Sequence, residues 1–180
     1  MARTTARRQG HDPLGIYLND HLAGATGGVG LARRMAAAAD PGSESAKVLN
    51  TLVAEITQDR LALLTIMGTL EIPVRGYKVF AGWVGEKAGR AKLNGHLLAR
   101  SPLSELEETE LLRLGVEGKA AGWRSLRSLA ERDSRLEADQ LDHLIERAKR
   151  QSDTLETLRV GVAERVLSTP ATRDRGALDD

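Results

Sequence analysis

The sequence predicts an all-α protein, a four-helix bundle made of two antiparallel helical hairpins. Apolar residues recur every three or four positions over long stretches, and clusters of Pro, Gly, Asp and Ser interrupt that pattern where helices should end. Aromatic residues make up only 3% of the chain, so the core must consist of Leu, Val, Ile, Ala and Met. With 180 residues, 41% of them hydrophobic, the chain can bury one core, and we assign the bundle domain to residues 13–167.

The first hairpin is predicted from its start and stop signals. Asp12-Pro13 opens a helix over about 13–39, because Asp can cap free N–H groups and Pro suits the first helical position. Asp40-Pro41-Gly42-Ser43 ends this helix and reverses the chain. A second helix over about 44–70 follows, with Pro73 beyond its end.

The second hairpin is predicted in the same way. Ser101-Pro102 opens a helix over about 102–131, and a final helix covers about 134–167. Ser104-x-x-Glu107 and Ser134-x-x-Glu137 have the spacing of capping boxes. The basic segment 1–12 and the polar segment 168–180 are predicted to be flexible tails.

Residues 74–100 between the hairpins are too many for a simple loop, and they contain helix formers broken by glycines. We predict a short helical crossover over about 76–98. Two hairpins joined by one long crossover have the connectivity of ferritin-like bundles. A plain up-down bundle with an extra helix is the alternative.

The crossover is also the densest basic and aromatic region of the chain. Its cations are Lys78, Lys87, Arg90 and Lys92, and its aromatic residues are Tyr77, Phe80 and Trp83. The segment could bind an anion or a nucleotide. The same residues are expected of an amphipathic lid with a solvated basic face.

Charge and cysteine content exclude several classes of function. The 26 basic and 25 acidic residues nearly cancel, so no whole-molecule field favours nucleic acid or an anionic membrane. Without cysteine the chain has no disulfide, no thiol nucleophile and no thiolate metal ligand. No apolar run approaches the roughly 18 residues of a membrane span, and we expect a cytoplasmic protein.

Several runs carry a resemblance to a known family. The run Tyr17-Leu18-Asn19-Asp20-His21-Leu22-Ala23-Gly24-Ala25 is similar to the opening of a family of uncharacterised bacterial proteins with ferritin-like bundles. Further similar runs are Glu86-Lys87, Lys92-Leu93-Asn94-Gly95, Ser101-Pro102-Leu103 and Gly115-Val116-Glu117-Gly118-Lys119. The resemblance spans most of the chain from Tyr17 to Leu167. It implies a ferritin-like fold and no particular activity.

Ferritin-like di-iron sites use a Glu from each of two helices and a Glu-x-x-His pair from each of the other two. This sequence contains no Glu-x-x-His, which argues against full di-iron chemistry. One hypothesis is a degenerate ferritin-like site that binds a single iron, manganese or zinc ion. Its ligands would come from His21, Glu55, Asp59, Glu117 and His143. The alternative is that the inward acids form ion pairs with arginines between helices.

We find no catalytic motif. The glycines of 24–30 follow a helical pattern, where a phosphate-binding loop would follow a strand, so we expect them to permit close helix approach or kinks. No Gly-x-Ser-x-Gly elbow occurs. The leading hypothesis is therefore a non-enzymatic bundle without a cofactor that acts through a protein partner or as a homo-oligomer. Metal binding and anion binding are the alternatives.

Overall fold

The computed structural model describes residues 12–75 and 102–168, and within these ranges the chain is helical with no strand. The helices are α1 (Pro13–Ala38), α2 (Glu44–Thr69), α3 (Pro102–Leu129) and α4 (Ala138–Leu167). These bounds confirm the all-α prediction, and they match the predicted ends within two residues everywhere except at the start of α4. The predicted crossover over 76–98 and both predicted tails lie essentially outside the described residues.

Local side-chain chemistry explains one of the helix starts. The Ser43 hydroxyl accepts a hydrogen bond from the backbone N–H of Ala46 at 3.1 Å, which caps α2. Asp12 holds the equivalent position before α1, but its side chain makes no capping hydrogen bond. Ser104 lies inside α3, two residues after that helix begins, so the capping box predicted there is wrong.

The predicted start of α4 near residue 134 is also wrong. Glu137 is the N-cap and has no side-chain capping bond, so the Ser134-x-x-Glu137 box does not form. The Asp133 carboxylate instead accepts hydrogen bonds from the backbone N–H and the guanidinium of Arg135. These bonds lower the pKa of Asp133 to about 2. They stabilise a turn before the helix, in which Leu136 is buried.

Two sets of contacts fix the directions of the helices. Tyr17 and His21 at the start of α1 lie against Ser125 and Gly122 near the end of α3, so these helices are antiparallel. Contacts of α2 with α4 likewise run in opposite directions. The short connection 39–43 makes α1 and α2 antiparallel, so α2 and α3, which are both antiparallel to α1, are parallel to each other. Helix α3 therefore begins at the end of the bundle opposite to the end where α2 stops.

The core runs through the middle of all four helices. The backbones of α3 and α4 approach each other closely, as do those of α1 and α2, whereas α2 and α4 meet mainly through long side chains. The predicted core residues Leu52, Ile56 and Leu144 are buried, and Leu158 is partly buried. No helix in the described part of the chain is long and apolar enough to cross a membrane.

Candidate functional site

A cluster of charged and polar side chains lies where α2, α3 and α4 meet. At its centre is Asp59 of α2, whose side chain is 1% exposed. Lys119 of α3 donates a hydrogen bond to Asp59 Oδ2 at 2.5 Å, and Arg147 of α4 contacts Asp59 Oδ1 through its Nη2. One carboxylate therefore holds a cation from each of two other helices.

Gln151 of α4 connects the cluster and is 1% exposed. Its Nε2 donates to Glu55 Oε2 at 3.0 Å and to Asp59 Oδ2 at 3.1 Å, and its Oε1 accepts from Lys119 Nζ at 2.5 Å. A neutral amide suits this position, since it can donate to carboxylates and accept from an ammonium group at the same time.

The four charged groups of the cluster, Glu55, Asp59, Lys119 and Arg147, sum to zero. Burial lowers the pKa of Lys119, while the charge of Asp59 and its hydrogen bond act in the opposite direction. Arg147 does not form a two-point fork with Asp59, because Asp59 Oδ1 and Arg147 Nε lack well-aligned hydrogen bonds within the described residues. The contact of Arg147 with Asp59 is therefore chiefly one of charge.

The position of the cluster explains its composition. The backbones of α2 and α4 lie farther apart than those of α1 and α2 or of α3 and α4. The long side chains of Arg147 and Gln151 on α4 span this distance and reach Asp59 and Glu55 on α2. Buried ion pairs add little net stability over apolar packing, but removing one partner is costly. Removing either cation or Asp59 would therefore leave an uncompensated charge inside the bundle.

The structure brings only part of the hypothetical metal site together. Glu55 and Asp59 share Gln151, while Glu117 of α3 accepts a hydrogen bond from Ser152 of α4 at 2.5 Å. His143 is exposed on α4. In the parts of the chain that the structure describes, no three His, Asp or Glu side chains form a group that could hold a metal ion. Metal binding by these residues stays a prediction.

His21 has a structural environment of its own. Its ring meets the Tyr17 ring edge to face at a centroid distance of 4.4 Å, and a Cβ built on Gly122 would lie 3.0 Å from it. Burial lowers the pKa of His21, and the nearby charge of Asp20 opposes that shift. His21 therefore packs in the interface between α1 and α3.

The outer face of α3, defined as Leu103, Leu111, Leu114, Gly118 and Ala121, is the second candidate site. Leu111 is 47% and Leu114 is 67% exposed, although Leu112 between them is buried in the core. Apolar residues that form a contiguous exposed patch mark binding surfaces, whereas single exposed apolar residues are ordinary.

The close helix approach predicted for the glycines of 24–30 does not occur at Gly24, Gly28 and Gly30. A Cβ built on Gly24, Gly28, Gly30, Gly115 or Gly118 would have no described neighbour within 4 Å, so these residues do not mediate close helix approach. Gly122 does, since it lies against His21. On α3 the open glycines adjoin the exposed leucines, which leaves the outer face shallow in its middle.

Charge is distributed unevenly along α3. Residues 102–115 contain four acids and one base, whereas residues 116–129 contain one acid and three bases. Glu105 pairs with Arg165 at 2.7 Å and Arg127 pairs with Asp142 at 2.9 Å, both with α4. Glu107 and Arg124 are exposed, and neither forms an ion pair within residues 12–75 and 102–168. The start of α3 is thus acidic, whereas two of the three bases in its second half, Lys119 and Arg127, are held by Asp59 and Asp142.

A depression between α3 and α4 encloses about 500 Å³, including open solvent. Its lining includes cations and acids together, among them Arg124, Lys149, Glu117 and Asp153. This mixture of charge does not define a site for one anion. The predicted anion site at Lys78, Lys87, Arg90 and Lys92 lies outside the described residues.

Sequence reasoning did not identify Lys119 and Gln151 as partners of Asp59, nor the outer face of α3. One available signal was that Arg147 and Gln151 are four residues apart on the face of α4 that also carries Leu144, Ala148 and Leu155. Another was that Leu111, Leu112 and Leu114 cannot all lie on one narrow stripe of a helix.

The fold and these two sites define an all-helical bundle with a buried ion-pair cluster and an exposed apolar helix face. No protein-family model, curated protein sequence or solved structure matches the chain.

Proposed function

We propose that this protein is a non-enzymatic helical bundle that acts by binding a protein through the outer face of α3. The exposure of Leu111 and Leu114 beside open glycines is the observation that supports this function. Fully burying a wholly exposed leucine side chain is worth about 1.5–3 kcal/mol, and covering the exposed parts of Leu111 and Leu114 is worth a corresponding fraction. Two such residues on one face supply a useful apolar centre for an interface.

The buried cluster supports the same conclusion from the other side. The cluster contains both acids and bases, but its central carboxylate, Asp59, already contacts Lys119, Arg147 and Gln151. The charges of these groups pair with each other inside the bundle, although Asp59 Oδ1 and Arg147 Nε lack hydrogen bonds within the described residues. Their role in the proposal is to hold α3 in place against α2 and α4.

We also propose that the bundle is ferritin-like in topology. The parallel course of α2 and α3 supports this, because a bundle with one long crossover joins two parallel helices. The proposed protein-binding function does not require the metal of ferritin-like enzymes, and it is independent of this assignment.

The experiment that tests the function compares the free energy of unfolding of variants at the exposed leucines with that of a variant at a buried leucine. The double variant L111Q/L114Q should unfold in urea within about 0.5 kcal/mol per site of the wild type, because both positions are exposed on the surface of α3. It should also lose most of the binding of an apolar fluorescent dye. The matched control Leu112→Ala, a core residue, should lose about 2–5 kcal/mol.

A loss of several kcal/mol in L111Q/L114Q would contradict the proposal. It would mean that these side chains are covered within the same chain, so that no binding face exists.

A further inference from the structure

We propose that the two hairpins, α1–α2 and α3–α4, separate along the seam between α2 and α4 before either hairpin unfolds, and that the buried cluster is the latch that keeps this seam closed. The contact between α1 and α3 serves as the hinge. The inference concerns the interior of the bundle and goes beyond the proposed function, because α3 keeps both its partner α4 and its outer face in the open form.

The charges of the cluster are divided between the two hairpins by their sign. Glu55 and Asp59 belong to the first hairpin, whereas Lys119 and Arg147 belong to the second. The contacts of Asp59 with both cations therefore exist only while the hairpins lie together. Separation of the hairpins returns these charges to water, and the recovered hydration offsets part of the lost attraction.

The polar contacts across the seam are confined to one turn of each helix. Within residues 12–75 and 102–168, they join Arg147 and Gln151 of α4 to Glu55, Gln58 and Asp59 of α2. The α3–α4 hairpin is instead tied along its whole length, by contacts of Glu105 with Arg165, Arg113 with Glu156, Glu117 with Ser152 and Arg127 with Asp142. Breaking one local group of contacts therefore frees the seam but leaves the hairpin closed.

The seam is loosely packed away from the cluster. The backbones of α2 and α4 lie farther apart than those within either hairpin. Toward the end of α2, a depression between the two helices encloses about 450 Å³, including open solvent. Its lining includes Thr65, Ile66 and Thr69 of α2 and Leu136, Gln140 and Leu141 of α4. Side chains beside such a gap lack part of the dispersion attraction of a filled core, so the seam separates more easily than a hairpin does.

The contact between α1 and α3 is placed to act as the hinge. These two backbones approach each other more closely than those of α2 and α4, and Gly122 of α3 lies against the His21 ring of α1. The Tyr17 hydroxyl also donates a hydrogen bond to Ser125 Oγ at 3.2 Å. Rotation about this contact parts α2 from α4 while each hairpin keeps its own interface.

Thiol labelling of full-length chains tests the opening, since the natural chain has no cysteine. Ile66→Cys reports on the seam, because Ile66 is buried beside the depression between α2 and α4. Ala148→Cys reports on the second hairpin, because Ala148 is buried between α3 and α4. With a slow thiol reagent, the labelling rate follows the population of the form that exposes the thiol.

The two reporters should differ in how strongly urea accelerates their labelling. The Ile66→Cys thiol should show a weaker urea dependence than global unfolding, because separation of the hairpins exposes only part of the core. The Ala148→Cys thiol should show the full urea dependence of global unfolding, which circular dichroism of the same protein measures.

Two second substitutions, each combined with Ile66→Cys, identify the latch. Asp59→Asn weakens the closed form alone, so it should speed the labelling of that thiol at least about tenfold. The matched control Ser152→Ala removes the buried contact with Glu117 inside the second hairpin. This contact is present in both the closed and the open form, so its loss should change the rate by less than about twofold.

A weak urea dependence of the Ile66→Cys thiol, with acceleration by Asp59→Asn and not by Ser152→Ala, supports the inference. It is overturned if both reporters show the full urea dependence of global unfolding, if Asp59→Asn leaves the Ile66→Cys rate unchanged, or if Ser152→Ala accelerates labelling equally. Leu141→Cys, on the α4 side of the same depression, replaces the seam reporter if Ile66→Cys does not fold. None of these results depends on the stability of L111Q/L114Q, which tests the proposed function separately.

Discussion

The two faces of α3 differ in what their residues contact. On the inner face Lys119 reaches Asp59 of α2 and Gly122 lies against His21 of α1, so each position is specified by a neighbouring helix. On the outer face Leu114 is largely solvated and Gly118 has open space where a Cβ would be. One helix therefore carries an interior held by neighbouring helices and an exterior whose leucines are exposed to solvent.

This difference shows that residue type is a poor guide to role in this bundle. Lys119 lies inside the bundle and is held by the Asp59 carboxylate, while the leucines of the outer face are exposed to solvent. A charged residue can be structural where another helix supplies its partner, and an apolar residue can serve binding where none does. Substitutions on the two faces should consequently affect different measurements.

The largest effect is expected at Asp59. Asp59→Ala leaves Lys119 and Arg147 without their shared carboxylate, and should lower the free energy of unfolding by about 3 kcal/mol or more. Urea denaturation monitored by circular dichroism measures this change. The matched control is Asp142→Ala, which removes the exposed pair with Arg127 and should cost no more than about 1 kcal/mol. Equal losses in the two variants would refute the special role of the buried cluster.

A pair of glycine substitutions compares the two faces directly. Gly118→Ala should raise the free energy of unfolding by about 0.5–1 kcal/mol, because alanine favours helix and the new methyl group meets open space. Gly122→Ala should forgo that gain, since its methyl group would press on the His21 ring at 3.0 Å. Thermal unfolding of both proteins gives the comparison. If both variants gain the same free energy of unfolding, the contact between residue 122 and the His21 ring does not restrict a methyl group.

The smallest effect is a pH dependence from the inner face. Because burial lowers the pKa of His21, the unfolded chain binds a proton more readily than the folded one. The full stability should be present above the ordinary histidine pKa of about 6.5 and should fall as the pH drops below it. His21→Gln should flatten this part of the stability profile, whereas the exposed control His143→Gln should leave it unchanged. An unaltered profile in His21→Gln would assign the dependence to other groups.

The sequence predicted the helices well because their signals are local. Proline at residue 13 and serine at residue 43 mark the starts of α1 and α2, and the apolar spacing of Leu52, Ile56 and Leu144 identified core positions. The predicted start of α4 at residue 134 was wrong because Arg135 donates hydrogen bonds to Asp133 and holds this segment in a turn. The capping pattern at Ser134 gives no sign of that interaction.

The two sites were harder to predict because they depend on distant parts of the chain. Asp59 and Lys119 are 60 positions apart, and nothing local to either indicates that they meet. Glu55 and Asp59 were expected among the inward acids, but their partners followed only from the way α2, α3 and α4 pack. Whether a leucine such as Leu114 is exposed likewise depends on the other helices.

The most direct test of the outer face is the thiol reactivity of Leu114→Cys, since the natural chain has no cysteine. In the presence of a non-thiol reductant, this cysteine should react with a maleimide rapidly, because the Leu114 side chain is 67% exposed. Leu112→Cys in the core should be protected. A Leu114→Cys thiol that is as protected as the Leu112→Cys thiol would contradict the account, because the same chain would then already cover the outer face of α3.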